Sequence, residues 1–179
     1  MLRSQDTLIR SILAVIYSIM QTIMANSIPA ARALDLLGIP YRLYEHTRPP
    51  ESLEEAANQR GQAPDQIIRS ILFRLAEDQF VMVLMAGPGQ ISWKRLRAAL
   101  GVTRISMASE AEVLAATGFV RGAVTPLGLP HPLRILADES VFVPSEISIG
   151  SGVRGIAILL KPTDLQSALG QFEIGKFAV

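Results

Sequence analysis

Frequent breaks in the chain limit its fold more than any single motif does. From Ser27 onward, glycine, proline and helix-capping serine recur at short intervals, so every segment between them is short. Some of these segments carry apolar residues at helical spacing, and others alternate apolar and polar residues as a strand does. Short helices and strands that interleave without a strict strand–helix–strand repeat predict a mixed α/β domain.

The predicted helices begin at a serine or proline and end at or before a glycine, because these residues favour the first and last turns. They cover residues 30–37, 52–61, 92–100, 109–117 and 162–169. Alternating or β-rich segments predict strands at 41–46, 67–75, 80–86, 133–137, 141–143 and 156–160, of which 67–75 and 80–86 form a hairpin. We expect one mixed, partly barrel-like β-sheet with short helices around it.

The overall composition narrows the classes of function. Hydrophobic residues make up 49% of the chain and charged residues 18%, enough to bury a full core. Seventeen basic residues against 16 acidic ones give a net charge of +1, which argues against a broad electrostatic surface for nucleic acid but allows a local basic patch.

The residues available for catalysis exclude several mechanisms. The absence of cysteine excludes disulfides, thiolate metal sites and a cysteine nucleophile. The two histidines, His46 and His131, stand far apart and without a carboxylate cluster, so no metal site is expected. These exclusions favour a cytoplasmic enzyme or a binding module.

The first 26 residues differ from the rest of the chain. Apolar residues at helical spacing, with serine, arginine and glutamine mostly opposite them, predict an amphipathic helix. The apolar stretch is too short and too interrupted to span a membrane. A second interpretation is that translation starts at Met24 and that the segment is a start-site extension. The domain itself is predicted to cover residues 27–179.

Two glycine-rich stretches are candidate ligand sites. Residues 150–155 match the pattern G-x-G-x-x-G, but the strand predicted to follow them excludes a dinucleotide-binding turn, which needs a helix there. Such a turn can bind anionic oxygens through its N–H groups, or it can simply be a tight hairpin. Residues 118–128 form an apolar loop in which the N–H of Gly122 could hold a carbonyl oxygen or a developing oxyanion.

Arg69 and His46 are the side chains most open to a functional interpretation. Strand alternation places Arg69 on the same face as Ile67 and Ile71, where an arginine is either partly buried with a partner or extended to solvent. His46 ends a strand, and a hydrogen-bonded or solvated imidazole is as consistent with that position as a general base.

Four segments in the same order resemble the YbaK-like aminoacyl-tRNA deacylase family, which also supplies the editing domain of bacterial prolyl-tRNA synthetases. These segments are 38–46, which ends in Tyr-Glu-His; 64–72, which contains Ile-Ile-Arg-Ser; 89–101, with Ser-Trp-Lys-Arg; and 122–128 with the glycine turn 152–155. The resemblance covers about residues 27 to 178.

The resemblance implies a mixed, barrel-like fold and hydrolysis of the ester that joins a wrong amino acid to tRNA, with alanyl- or cysteinyl-tRNA(Pro) as the expected substrates. It implies no metal, no other cofactor and no covalent intermediate. The implied partners are a mischarged tRNA and an aminoacyl-tRNA synthetase. It places Arg69 and Gly122 at the catalytic centre and implies substrate contacts from Tyr44, His46, Thr125, Pro126, Gly150, Ser151 and Gly152.

Arg69 stands where the family carries its pocket lysine. An arginine cannot act as a base, but it can donate hydrogen bonds to a carbonyl and stabilise an oxyanion. The sequence therefore leaves two functions open: a trans-acting deacylase, or a catalytically silent relative that binds an aminoacyl ligand or a synthetase.

Overall fold

The computed structural model describes residues 27–179 together with Arg10, Ile12, Leu13, Val15 and Ile16. In residues 27–179, helices α1 to α5 are Pro29–Leu37, Leu53–Arg60, Trp93–Leu100, Glu110–Thr117 and Pro162–Leu169. Strands β1 to β8 are Arg42–Glu45, Ile68–Ala76, Gln79–Ala86, Ser106–Met107, Arg134–Asp138, Ile147–Gly150, Ile156–Leu160 and Glu173–Gly175. Short 3-10 helices occupy Pro64–Gln66 and Glu139–Phe142.

The strands form two sheets. Three strands in the order β1-β7-β6 make a small antiparallel sheet. The larger sheet has the order β4-β2-β3-β5-β8, in which β2 pairs antiparallel with both β3 and β4, whereas β3, β5 and β8 run parallel. The prediction of a mixed α/β fold with short surrounding helices is confirmed, although the two sheets do not close into a barrel.

The predicted elements are largely confirmed. All five predicted helices are present, and Ser52, Ser92 and Ser109 cap theirs by accepting a hydrogen bond from the backbone N–H three residues later. The strand predicted at 141–143 is wrong: this apolar run belongs to the 3-10 helix Glu139–Phe142, which Asp138 caps through the N–H of Ser140. Strands β4, β6 and β8 are absent from the prediction.

One hydrophobic core holds the two sheets together. It lies between one face of the large sheet, the small sheet, and helices α1 and α5, so burial of a single apolar layer fixes all of them. Its buried members include Leu34, Leu72, Met82, Leu84, Ile147, Ile149, Ile158 and Leu165.

The opposite face of the large sheet is also covered. Leu96 and Leu100 of α3, together with Phe177 near the C-terminus, pack on a second cluster of residues from β2, β3 and β5. Because both of its faces are buried, β3 is apolar on both sides, which explains why its sequence from Phe80 to Ala86 is a continuous apolar run.

The two sheets touch where β2 begins. Ile67, just before β2, forms a parallel bridge with Ser148 of β6. At its other end β2 pairs with β4 only through Phe73 and Arg74. Between these two contacts, no strand among the described residues pairs with this edge of β2, and the candidate site lies along it.

A buried carboxylate anchors the C-terminus. Asp138, at the end of β5, is 1% exposed. Its Oδ2 accepts hydrogen bonds from the N–H groups of Phe177 and Ala178 at 2.5 and 2.9 Å. Its Oδ1 accepts from the N–H and hydroxyl of Ser140 at 3.0 and 2.5 Å. Burial acts to raise the pKa of Asp138, but these hydrogen bonds outweigh it and hold the pKa below the usual value.

The prediction for residues 1–26 falls mostly outside the described residues. The five described residues of that segment are helical and exposed. Within the described part of the chain, no helix has both the length and the apolar character needed to cross a bilayer.

We expect Asp138→Asn to lower the free energy of unfolding by about 1–3 kcal/mol at neutral pH, because its amide nitrogen cannot accept from the buried donors. Since folding lowers the pKa of Asp138, its contribution is present above the unfolded pKa and is lost as pH falls through the folded pKa. Urea unfolding across acidic to neutral pH measures both effects.

The Asp138→Asn variant should show a weaker loss of stability with acid, and the control Glu139→Gln, at the exposed neighbouring residue, should match the wild type. Equal acid sensitivity in Asp138→Asn and the wild type would contradict this role.

Candidate functional site

A cavity of about 620 Å³ opens between the free edge of β2, the end of β6 and the start of α2. This volume is in the usual range for small-molecule sites. Arginines outnumber acidic side chains in its lining: Arg60, Arg69, Arg121 and Arg154 against Glu51 and Glu110. Arg121 pairs with Glu110 at 3.3 Å, and both are largely exposed at the rim. The inner cavity therefore carries a positive charge that suits an anionic or strongly polarised ligand.

Arg69 is half-buried in this lining. Its Nη2 donates to the carbonyl of Gly89, in the loop after β3, which holds the side chain against that loop. Its Nε is buried and makes no hydrogen bond within the described residues, and none of their carboxylates pairs with it. Burial lowers the pKa of the Arg69 guanidinium from its ordinary value. The group stays charged and has donor capacity left for a ligand.

His46 is held by two neighbours from α2. Its Nε2 lies 3.1 Å from Nε and 2.9 Å from Nη2 of Arg60, and its Nδ1 lies 2.5 Å from Oε1 of Gln59. Arginine can only donate, so Nε2 accepts and Nδ1 carries the proton that goes to Gln59. Both ring nitrogens are thus occupied, and the imidazole forms part of the wall rather than a free base.

Arg60 is a partly buried cation, and no carboxylate among the described residues pairs with it. Besides His46, it donates from Nη1 to the hydroxyl of Ser148 at 2.8 Å. Ser148 is fully buried in β6, so this contact ties the end of α2 to the small sheet. Burial lowers the pKa of Arg60 to about 10.

The predicted glycine loop forms another wall of the cavity. Gly122 is exposed there with a φ of +86°, which favours glycine, and its N–H makes no hydrogen bond to the described residues. Gly150 also lines the cavity, and a Cβ at that position would lie 2.2 Å from the carbonyl oxygen of Val124. This glycine is therefore needed so that the loop can approach β6.

Five of the predicted site residues do not line the cavity. Thr125 and Pro126 are buried behind the loop, where the Thr125 hydroxyl accepts from the N–H of Leu127. The Ser151 hydroxyl is turned inward to the backbone of Val153. The remaining two also support the wall from behind: Tyr44 donates to the carbonyl of Gln59 and packs edge-on against His46, and Gly152 packs near Phe119 and Pro29. The structure thus brings together Arg69, Gly122, His46 and Gly150.

Sequence reasoning missed three arginines of the lining: Arg60, Arg121 and Arg154. A basic residue in the last turn of a helix is ordinary, so nothing in the sequence indicates that Arg60 is partly buried. Arg121 and Arg154 lie within the two glycine-rich stretches, and this position is the sequence signal that could have indicated them as site residues.

The arrangement can stabilise negative charge. It offers fixed cations and a free backbone N–H close to a partly water-excluded cavity, which are the groups that hold a polarised carbonyl or an oxyanion. In the described part of the chain, no three histidine or carboxylate side chains come together as metal ligands.

One protein family and several known proteins are similar to this chain in sequence. The model of the family described as "Aminoacyl-tRNA editing domain" matches residues 47–168. An uncharacterized protein of Bacillus subtilis, YwhH, is 33% identical over 114 residues, which are 64% of this chain and 72% of that protein. A candidate Cys-tRNA(Pro)/Cys-tRNA(Cys) deacylase of Enterococcus faecalis, EbsC, is 26% identical over 80% of this chain and 89% of its own length.

Longer relatives and a solved structure agree with this. A proline–tRNA ligase of Trichlorobacter lovleyi is 31% identical over 59% of this chain, but the match spans only 18% of the ligase. A crystal structure of a candidate trans-editing enzyme for prolyl-tRNA synthetase superposes with a TM-score of 0.77 over 84% of this chain and 95% of the other, at 23% identity. At this identity the superposition shows a shared fold.

We expect Arg60→Lys to lower the free energy of unfolding by about 1–3 kcal/mol, because an ammonium cannot reach His46 and Ser148 together and leaves a buried acceptor without a donor. Arg42→Lys is the matched control: Arg42 pairs with Glu146 at the surface, and its variant should stay within about 0.5 kcal/mol of the wild type. Chemical denaturation measures both. Equal changes in the free energy of unfolding for the two substitutions would show that the Arg60 contacts do not stabilise the fold.

Proposed function

This chain belongs to the aminoacyl-tRNA editing domain family, and we propose that it is a trans-acting deacylase for translational proofreading. Residues 27–179 form the editing domain in this proposal, and its substrate is a mischarged tRNA, alanyl- or cysteinyl-tRNA(Pro). The observation that carries the proposal is the cavity, in which a charged Arg69 and the free N–H of Gly122 share one lining without a metal-binding cluster among the described residues.

Arg69 and Gly122 have complementary roles in the proposed reaction. The substrate ester enters with its carbonyl oxygen directed at the N–H of Gly122, and the Arg69 guanidinium polarises or anchors the same end of the ligand. Water then attacks the carbonyl carbon, and one of its protons passes, directly or through the neighbouring substrate hydroxyl, to the ester oxygen that leaves. The ester bond breaks to release the free amino acid and the tRNA hydroxyl. His46 takes no proton here, because both of its nitrogens are engaged.

A second, shallower groove supports tRNA as the partner. It has a volume of about 410 Å³ and is lined by Arg74, Arg97 and Arg104 together with Thr103, Ile105 and Ser106. Arg74 pairs with Glu112 at 2.9 Å, whereas Arg97 and Arg104 form no ion pair with the described residues. Ser106 lines the groove and the next residue of β4, Met107, lines the cavity, so the two sites are adjacent at this short strand. Such a local patch provides phosphate contacts on a chain whose net charge is only +1.

The alternative is a catalytically silent relative that binds an aminoacyl ligand or docks on a synthetase. The presence of arginine at position 69 favours it, since the family carries a lysine there by resemblance. In that case the cavity binds the ligand without accelerating hydrolysis.

We expect Arg69→Ala to lower the deacylation rate at least about tenfold, because it removes a charged hydrogen-bond donor to the transition state. Release of labelled amino acid from alanyl- and cysteinyl-tRNA(Pro) measures the rate. Arg32→Ala, an exposed arginine outside both grooves, serves as the control and should keep the wild-type rate.

The Arg69 experiment also separates the two functions. A wild-type protein that never exceeds spontaneous hydrolysis, while Arg69→Lys gains activity, supports the silent relative. A fully active Arg69→Ala protein removes Arg69 from the mechanism.

We expect the double substitution Arg97→Ala and Arg104→Ala to raise KM for mischarged tRNA and to flatten its dependence on salt, because phosphate contacts release counterions. Hydrolysis of an aminoacyl ester of adenosine alone, which is too short to reach the groove, should not change. Steady-state kinetics with both substrates at two salt concentrations test this. An equal loss on the two substrates would place the arginines in the cavity chemistry instead.

A further inference from the structure

The free edge of β2 faces the cavity. In the described part of the chain, no strand pairs with residues 69–71 on the side away from β3, because β4 pairs only with Phe73 and Arg74. The hydrogen bond from the N–H of Ala108 to the carbonyl of Leu72 closes this gap at one end, and the Ile67–Ser148 bridge closes it at the other. Proteins normally pair, charge or cover such an edge. Here it lines a cavity.

The backbone direction at each residue follows from these contacts. Along a strand, the N–H and C=O groups of one residue point to one side and those of the next residue to the other. The Leu72 carbonyl points away from β3, towards Ala108. By alternation, the N–H and C=O of Ser70 point the same way, into the gap, while those of Arg69 and Ile71 pair with β3.

Ser70 presents its main chain to the cavity. The residue lines the cavity and is partly exposed, yet its hydroxyl oxygen is buried and has no hydrogen-bond partner in the described part of the chain. The accessible part of Ser70 is therefore its backbone and Cβ. Neither its N–H nor its C=O forms a bond to any of the surrounding loops or helices described.

We propose that the main chain of Ser70 binds the aminoacyl group as one residue of an added antiparallel strand. The proposal rests on the proposed function, since it assigns how that substrate is held. The N–H of Ser70 donates to one lone pair of the ester carbonyl oxygen, whose other lone pair accepts from Gly122, and the C=O of Ser70 accepts from the α-ammonium. This is the pair of bonds that two facing residues exchange in an antiparallel sheet.

The same edge supplies a second acceptor for the ammonium. Ile68 also points away from β3, two residues before Ser70, so its carbonyl lies on the gap side. In a cavity lined by arginines, a cationic ammonium needs such acceptors, and the backbone carbonyls of the edge provide them without adding a negative residue.

The pairing also selects the configuration of the amino acid. Side chains of directly opposed residues lie on the same face of a sheet. The side chain of an L-aminoacyl group therefore lies beside that of Ser70, on the face that also carries Ile68 and Leu72. A D-aminoacyl group held by the same two bonds would turn its side chain towards Arg69 and Ile71. A small residue at position 70 leaves room for the L side chain.

Amide hydrogen exchange in the ¹⁵N-labelled protein tests the geometry directly. In the free protein, the Ser70 amide should exchange rapidly between the protected amides of Arg69 and Ile71. Saturation with a non-hydrolysable analogue, 3′-deoxy-3′-(L-alanylamido)adenosine, should slow Ser70 exchange at least about tenfold. A Ser70 amide that is already protected in the free protein, or unchanged with the analogue bound, overturns the proposal.

Two further analogues test the recognition itself. The propionyl analogue, which lacks only the amino group, should bind about 10- to 100-fold more weakly, as expected for loss of a charged hydrogen bond. The D-alanyl analogue should also bind more weakly. Equal affinities of all three, measured by calorimetry, contradict edge pairing.

Proline at position 70 removes the outward N–H and leaves the β2–β3 ladder intact, because proline is tolerated where the N–H faces away from the sheet. We expect Ser70→Pro to lose most deacylation while it keeps a cooperative thermal unfolding transition, and Ser70→Ala, which keeps the N–H, to lose less. If Ser70→Pro does not fold, hydrogen exchange of the Ser70 amide in the wild-type protein still tests the proposal. A wild-type protein that neither binds nor hydrolyses any aminoacyl substrate contradicts both the proposed function and the proposed edge pairing. An active wild-type protein with an equally active Ser70→Pro variant contradicts only the edge pairing.

Discussion

The shared core between the two sheets sets the position of nearly everything else. β2 and β6 each contribute apolar side chains to it, so the two strands must come close, and they do so at the Ile67–Ser148 bridge. They do not pair further, because the loop around Gly122 packs against Gly150 and takes up the space beside β6. The cavity is the gap that remains where two strands are fixed by a common core but are not paired.

The charge of the cavity depends on how Arg60 is satisfied. A buried guanidinium usually requires a carboxylate, because desolvation of an unpaired charge is costly. Here neutral acceptors, His46 and Ser148, take that place, so Arg60 is hydrogen-bonded without being neutralised. With Arg69 also unpaired among the described residues, the inner cavity keeps a net positive charge in a molecule whose charges otherwise nearly balance. Coulomb interactions are stronger in such a partly desolvated site than at the open surface.

Local sequence signals were sufficient for the helices but not for every strand or for the whole site. Serine caps and closing glycines act within a few residues, so the helix bounds followed from the sequence alone. β6 escaped prediction because Ser148 and Gly150 interrupt its apolar pattern, and both are explained only by distant partners, Arg60 and the loop at Val124. Likewise, the resemblance indicated two loops that contribute to the cavity wall, whereas the inward orientation of Thr125 and Ser151 depends on packing that no local sequence pattern shows.

Arginine at position 69 is consistent with the contacts around it. Lysine carries one point of donation, whereas the planar guanidinium carries five N–H donors in a fixed arrangement. Arg69 uses one arm on the Gly89 carbonyl, and this loop is itself fixed by bonds between its next residues and the C-terminal segment: Ser92 N–H to the Phe177 carbonyl, and Val179 N–H to the Gln90 carbonyl. A side chain held in this way keeps its remaining donors at a constant place and cannot give up its proton. The proposed deacylation would therefore work by fixed positive charge and backbone hydrogen bonds, with proton removal left to water or to the substrate.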